Sequence, residues 1–202
     1  MRPARASPVS INACAINSGM DDGAVKLVDE MSRDAGFELL RPFTTIEAAE
    51  RQAKFTPICF FLFTYPEEMT ATAARIREIR RARERRIRFA PLVCFIDKPS
   101  RADIIACIMV GFDDILTVPI ATGSLGPRLK FQLARPITYF ETTDYFGPDR
   151  RRHLLKSEEP KGERRRESGS FKRYEFVRNS MSGIQILRDE VVRPTAAQAA
   201  AS

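Results

Sequence analysis

The chain has 202 residues, 44% of them apolar, with a formal net charge of +7 and an isoelectric point near 9.5. That length allows one domain of ordinary size plus an extension, and the basic excess favours anionic partners: nucleic acid, nucleotides, anionic lipid or acidic protein surfaces. Four cysteines (Cys14, Cys59, Cys94, Cys107) with no Cys-x-x-C pair, and a single histidine, His153, argue against a zinc site, and no segment approaches the ~18 apolar residues of a membrane span.

Residues 1–8 read as a disordered leader, with no apolar stretch of signal-peptide length behind the charges. Val9–Ile16 reads as a first strand and Asn17-Ser18-Gly19 as a turn. Asp21 or Asp22 then caps a helix to about Ala35, with Val25, Leu27, Val28 and Met31 on its apolar face. Gly36 stops it, and Phe37–Leu40 forms a short second strand. Thr44 or Thr45 caps a helix to about Lys54, with Ile46, Ala49 and Ala53 turned inward. Ile58–Phe63 is an uninterrupted apolar run between Pro57 and Thr64, which suits a third strand buried on both faces.

Glu67–Arg88 is expected as one helix with a basic surface. Between Arg75 and Arg88 it carries Arg75, Arg77, Arg80, Arg81, Arg83, Arg85, Arg86 and Arg88, opposed within residues 75–88 by Glu78 and Glu84. Such a charge run is ordinarily a solvated face; the sharper alternative is a docking surface for an acidic partner or phosphates. Ala90–Ile96 is a fourth strand, Arg101–Val110 a helix begun at Pro99-Ser100 and ended at Gly111, and Phe112–Thr117 a fifth strand broken by Val118-Pro119. A last helix covers about Ser124–Ala134. The alternation predicts an α/β fold, five parallel strands covered on both faces. The cysteines fall inside predicted elements as small buried hydrophobes, and free buried thiols point to a reducing cytoplasm.

From Pro91 to Pro119 the chain resembles the second half of a response-regulator receiver domain (CheY-like). Pro-Leu-Val-Cys-Phe-Ile-Asp, a helix, then Gly111-Phe-Asp-Asp-Ile-Leu-Thr-Val-Pro119 matches that family's strand, helix and Gly-Ala-Asp-Asp-Tyr-Leu-Thr-Lys-Pro pattern without a gap. Leu62–Pro66 falls on its Asp-x-x-x-Pro. The resemblance covers residues 9–135 and implies a doubly wound, flavodoxin-like (βα)5 fold with a cis Val118–Pro119 bond. It also implies that the working residues are missing. Leu62 stands at the phosphoacceptor Asp, Asn17 or Ser18 near the acidic pair that holds Mg²⁺, and Ile96 at the switch Thr or Ser. Val118 stands at the Lys, and Ile115 at the aromatic switch residue. Phosphoryl transfer needs a carboxylate nucleophile, hard oxygen ligands and a cation. The expectation is a degenerate receiver with no catalytic residue, no metal site and no cofactor.

After Pro136 the composition shifts to Pro, Gly, Arg and Glu, and a mostly irregular basic extension is expected. Residues 136–172 hold a short repeat: Asp144-Tyr-Phe-Gly-Pro-Asp-Arg-Arg-Arg152 and Glu159-Pro-Lys-Gly-Glu-Arg-Arg-Arg166. A guanidinium can read guanine O6 and N7 or pair with phosphate, and a neighbouring carboxylate can accept from the guanine N–H groups. The tail resembles the arginine-rich extensions of Cle-type proteins, which bind cyclic di-GMP. On that resemblance Asp149, Arg150, Arg151, Glu163, Arg164 and Arg165 are the candidate contacts. Residues 173–193 read as a possible hairpin around Asn179-Ser180-Met181-Ser182, and 194–202 as a disordered end. His153 stands far from any nucleophile.

The function these features imply is a non-enzymatic cytoplasmic signalling adaptor. A degenerate receiver docks a protein of the signalling or motility machinery, and the tail binds cyclic di-GMP. The alternatives are a nucleic-acid-binding protein using the basic helix and tail, and a plain protein-docking module without a ligand.

Overall fold

The structure is a computed structural model and describes residues 11–19, 22–120, 124–150 and 170–193. The chain runs β1 (Ile11–Asn17), α1 (Asp22–Ala35), β2 (Phe37–Pro42), α2 (Ile46–Ala53), β3 (Cys59–Thr64) and α3 (Met69–Arg80). It continues through α4 (Arg85–Arg88), β4 (Leu92–Asp97), α5 (Arg101–Val110), β5 (Asp114–Val118) and α6 (Leu125–Lys130). These strands form a parallel sheet in the order β2-β1-β3-β4-β5, the doubly wound flavodoxin-like arrangement. The expected (βα)5 fold is the observed one.

Strand β3 is the centre because its side chains are apolar on both faces. Cys59, Phe61 and Phe63 enter one apolar cluster, while Phe60 and Leu62 enter the other, and each is at most 1% exposed. The helices that cover these faces begin and end where local chemistry dictates. Thr45 Oγ1 accepts from Ala48 N at the start of α2. Ser100 and Asp103 form a reciprocal capping box at the start of α5. Gly111 ends α5 at φ 101°, a left-handed conformation that costs glycine little. The Val118–Pro119 peptide is cis.

Two expected helices are shorter. The basic stretch is not one helix over Glu67–Arg88: it breaks at residues 81–84, because Glu50 Oε1 in α2 accepts the backbone N–H groups of Arg83 and Glu84 at 2.9 and 3.1 Å. Glu84 then caps α4 by accepting from Arg86 N at 3.2 Å, which turns Ile87 fully into the core. A tertiary carboxylate here overrides local helix preference. Helix α6 ends at Lys130 rather than near Ala134, whose N–H instead bonds Arg178 O at 2.9 Å.

That last bond belongs to a second sheet. β6 (Pro136–Glu141), β7 (Phe146–Pro148), β8 (Phe171–Asn179) and β9 (Gly183–Val192) form an antiparallel sheet in the order β7-β6-β8-β9. β8 and β9 are the expected hairpin, while β6 and β7 lie in the stretch read as irregular tail. Ile137-Thr138-Tyr139-Phe140 is rich in β-branched and aromatic residues, and it becomes a strand because β8 supplies a partner. The inner face of this sheet places Tyr139, Phe146, Tyr174 and Phe176 around Phe89, each with ring centroids 4.8–5.9 Å from it.

Behind those rings is a buried ionic network. Asp113, in the α5–β5 loop, accepts from Arg80 Nη2 at 2.8 Å on Oδ2, and from Arg178 Nη2 at 2.7 Å and the Tyr139 hydroxyl at 2.5 Å on Oδ1. The side chains of Arg80, Asp113 and Arg178 are 3%, 2% and 0% exposed. Burial alone would push the Asp113 carboxyl up; the two guanidinium groups and the Tyr139 hydroxyl outweigh it and hold the carboxyl below its ordinary range. Backbone carbonyls take further donors: Phe89 O accepts from Arg178 Nε at 2.9 Å, and Ala90 O and Arg88 O accept from Arg80 Nη1 at 2.8 and 3.0 Å.

Arg178→Ala takes a donor away from Asp113 Oδ1, Phe89 O and Gln132 Oε1 and leaves a cavity where a fully buried side chain stood, so it is expected to lower unfolding free energy by about 2–5 kcal/mol in urea titration. A depressed carboxyl contributes stability above its unfolded pKa and loses it as pH falls. Stability is therefore expected to drop as pH falls below about 4, and the difference between wild type and Asp113→Asn, titrated at a series of pH values, should shrink over the same window.

Candidate functional site

In an open α/β sheet the chemistry collects beyond the carboxyl ends of the strands. Here that edge carries Asn17 from β1, Leu62 from β3, Ile96 from β4 and Val118 from β5. Leu62 is fully buried in an apolar cluster and Ile96 is 3% exposed. Asn17, the one polar group at the end of β1 with a full set of partners, is spent on structure. Its amide donates to Val25 O at 2.9 Å and Asp29 Oδ1 at 2.8 Å, and its oxygen accepts from Gly19 N at 2.9 Å. This ties β1 to α1. Tyr65, after β3, donates to Asp103 Oδ1 at 2.8 Å. That bond, with some desolvation, pushes the phenol up to about 12 and pins the β3 loop to α5. None of these groups is a carboxylate nucleophile or a cation poised over one. Among the described residues no three His, Cys, Asp or Glu side chains cluster as metal ligands would.

Of the six candidate contacts in the basic extension, Asp149 and Arg150 are described; Arg151, Glu163, Arg164 and Arg165 lie outside the described residues. Arg150 Nη1 donates to Met109 O near the end of α5 at 3.0 Å, and its guanidinium carbon lies 3.8 Å from the centroid of the Tyr145 ring. Tyr145 is itself fixed, its hydroxyl donating to Pro148 O at 2.7 Å. That approach requires Gly147, since a Cβ there would meet the Tyr145 hydroxyl oxygen at 2.8 Å. Asp149 lines a cleft of about 600 Å³ between α6 and the start of β6, together with Arg128, Phe131 and Arg135. Phe131 is 61% exposed, and the Arg135 guanidinium lies 4.3 Å from its ring. Sequence reasoning did not single out these three, and the Arg-x-x-Phe-x-x-x-Arg spacing was the available signal.

The basic helix divides by role. Arg80 is buried on Asp113, Arg88 pairs with Glu141, Arg86 donates to Ala53 O at 2.6 Å, and Arg75 lies over the Phe43 ring at 4.6 Å. Arg77, Arg81, Arg83 and Arg85 are exposed. The sequence reading of a uniform solvated face therefore describes half of the run.

No protein-family model matches the chain, and no curated protein does. Solved structures do. The chain is similar to the receiver domain of a sensor histidine kinase from Pseudomonas aeruginosa PAO1, at 18% identity and TM-score 0.45, over 59% of this chain and 95% of that one. It is also similar to a CheY-like protein, TadZ, from the same organism, at 14% identity and TM-score 0.47, over 59% and 98%. A third is the receiver domain of a signal transduction histidine kinase from Syntrophus aciditrophicus, at 15% identity and TM-score 0.40, over 59% and 88%.

If Leu62 stands at a phosphoacceptor position, as the resemblance in sequence implies, an aliphatic side chain supplies no nucleophile, and incubation with acetyl phosphate and Mg²⁺ is expected to leave the intact mass unchanged. An acid-labile, Mg²⁺-dependent gain of one phosphate would refute this. Leu62→Asp alone is expected to remain inert as well, because Val118 and Asn17 supply neither the cation nor the metal ligands.

Proposed function

We propose that the chain is a non-enzymatic signalling adaptor. Its receiver-like domain carries no phosphoryl chemistry and docks a protein partner, and its basic extension binds cyclic di-GMP. The observation that supports the first part is the aliphatic carboxyl edge, Leu62 with Ile96 and Val118, beside an Asn17 whose side chain is committed to α1 and to Gly19 N. A receiver-like domain built this way has its surfaces left to act with, and Arg77, Arg81, Arg83 and Arg85 of the α3–α4 region are exposed.

The ligand part rests on chemistry. Asp149 offers an acceptor for guanine N–H groups, and Arg150, the next residue in the chain, a planar donor for O6 and N7 or phosphate. Arg150 also rests on α5 through Met109 O, so a ligand that recruited this guanidinium would break a contact to the parallel-sheet domain. Binding and the exposed surface of α5 are thereby coupled through differential contacts in the two states.

Calorimetric titration of the full chain with cyclic di-GMP tests the ligand. Arg150→Ala is expected to weaken binding by roughly 1–3 kcal/mol, the range for one bidentate guanine contact. Asp149→Ala is expected to weaken cyclic di-GMP while leaving or strengthening a short RNA, because it removes a negative charge. If it tightens both, the arginines meet only phosphate, and the nucleic-acid alternative with its steep salt dependence takes over.

A further inference from the structure

On the side of the molecule where α3 and α4 face the β6–β7 turn, a cleft of about 230 Å³ opens between Arg77, Arg81 and Arg88 on one wall and Thr142 and Thr143 on the other. We infer that this cleft is an anion site that takes a phosphate group. Arg77, in the last turn of α3, and Arg81, the residue that caps its end, are four residues apart and line the same cleft, and both are exposed. Neither has a carboxylate within ion-pair distance among the described residues. Behind them Arg80 is 3% exposed, and its Nε has no hydrogen-bond partner; the same holds for the Nε of Arg88.

The charge balance points the same way. Arg80 and Arg178 share the single carboxylate of Asp113, so one positive charge stands uncompensated behind the wall. Arg88 is neutralised by Glu141, but Arg77 and Arg81 are not, and Asp144 is the one further acidic side chain lining the cleft. A space rimmed by guanidinium groups with hydroxyls opposite matches the forked, charge-assisted bonding of a phosphate, and its size admits one phosphate group rather than a long polyanion. This site is independent of whether Asp149 and Arg150 read guanine.

The test is binding of inorganic phosphate, GMP and cyclic di-GMP to the full chain, followed by calorimetry and by NMR shifts of the Thr142 and Thr143 amides. The variants are Arg77→Ala/Arg81→Ala and, as an equally basic control outside the cleft, Arg83→Ala/Arg85→Ala. All four side chains are exposed, so both proteins should fold, which circular dichroism checks. The first pair is expected to weaken inorganic phosphate and GMP at least about tenfold, and the control pair to leave them unchanged. If GMP binds and inorganic phosphate does not, with Arg77 and Arg81 still decisive, the site stands and its phosphate belongs to a nucleotide. Equal losses in both variants would mean diffuse attraction to a basic surface and would overturn the site, as would failure of all three ligands to bind. Cyclic di-GMP that is lost on Arg150→Ala, with cyclic di-GMP, inorganic phosphate and GMP all indifferent to Arg77→Ala/Arg81→Ala, would overturn this site and leave the adaptor reading intact.

Discussion

One carboxylate shared by two buried arginines is the interaction on which the rest of the molecule depends. Asp113 belongs to the parallel-sheet domain, Arg80 to the basic helix and Arg178 to the second sheet, so three separate parts of the chain meet at one side chain. The cost of drying two cations for one anion is large, and a pair in poor geometry would not recover it. Here the surplus cation is answered by fixed dipoles: the carbonyls of Arg88, Phe89 and Ala90, which the end of α4 and the start of β4 leave pointing at the cluster. The Tyr139 ring adds its face, 5.0 Å from the Arg80 guanidinium. The aromatic ring cluster around Phe89 then seals this polar centre from water, and each layer is needed for the other.

The parallel sheet was legible because its signals are local and redundant. Ile58–Phe63 has no charge to hide its burial, Ser100 with Asp103 announces a helix start, and Gly111 an end. The second sheet was legible only in its β8–β9 half. Ile137–Phe140 is too short to declare itself, and its strand character comes from β8, more than 30 residues away in sequence. The charge run misled for a related reason. In sequence all eight arginines are equivalent, and nothing local marks Arg80 as the one that turns inward. Glu50, whose carboxylate breaks the helix, lies in a different element altogether. Arg178 sat in the expected hairpin without remark, since an arginine in an alternating strand is ordinarily on the wet face. Its place on the dry face between Phe176 and the β8–β9 turn could be read from the period-2 pattern, Tyr174, Phe176, Arg178, had the strand been trusted to continue inward.

The candidate contacts were legible as chemistry and only partly as geometry. Asp149 and Arg150 end up on opposite sides of the β7 terminus. The former faces the α6 cleft and the latter lies flat on Tyr145 against the end of α5. Their adjacency in sequence did not reveal that split. It arises from Gly147, which lets Tyr145 fold under the strand and offer its ring to the next arginine.

The reach of Arg178 has a consequence for how the chain can be divided. Its side chain bonds Phe89 O and Asp113, across 89 and 65 residues, and its backbone carbonyl receives Ala134 N–H. The composition shift after Pro136 looks like a seam between a domain and its tail, yet the covalent seam is not the physical one. A chain ended at residue 135 would keep all five parallel strands and lose the roof over Phe89, the second cation of Asp113 and the bond at Ala134. The second sheet thus completes the interior of the parallel-sheet unit, and Phe89 and Asp113 are buried only where both sheets are present.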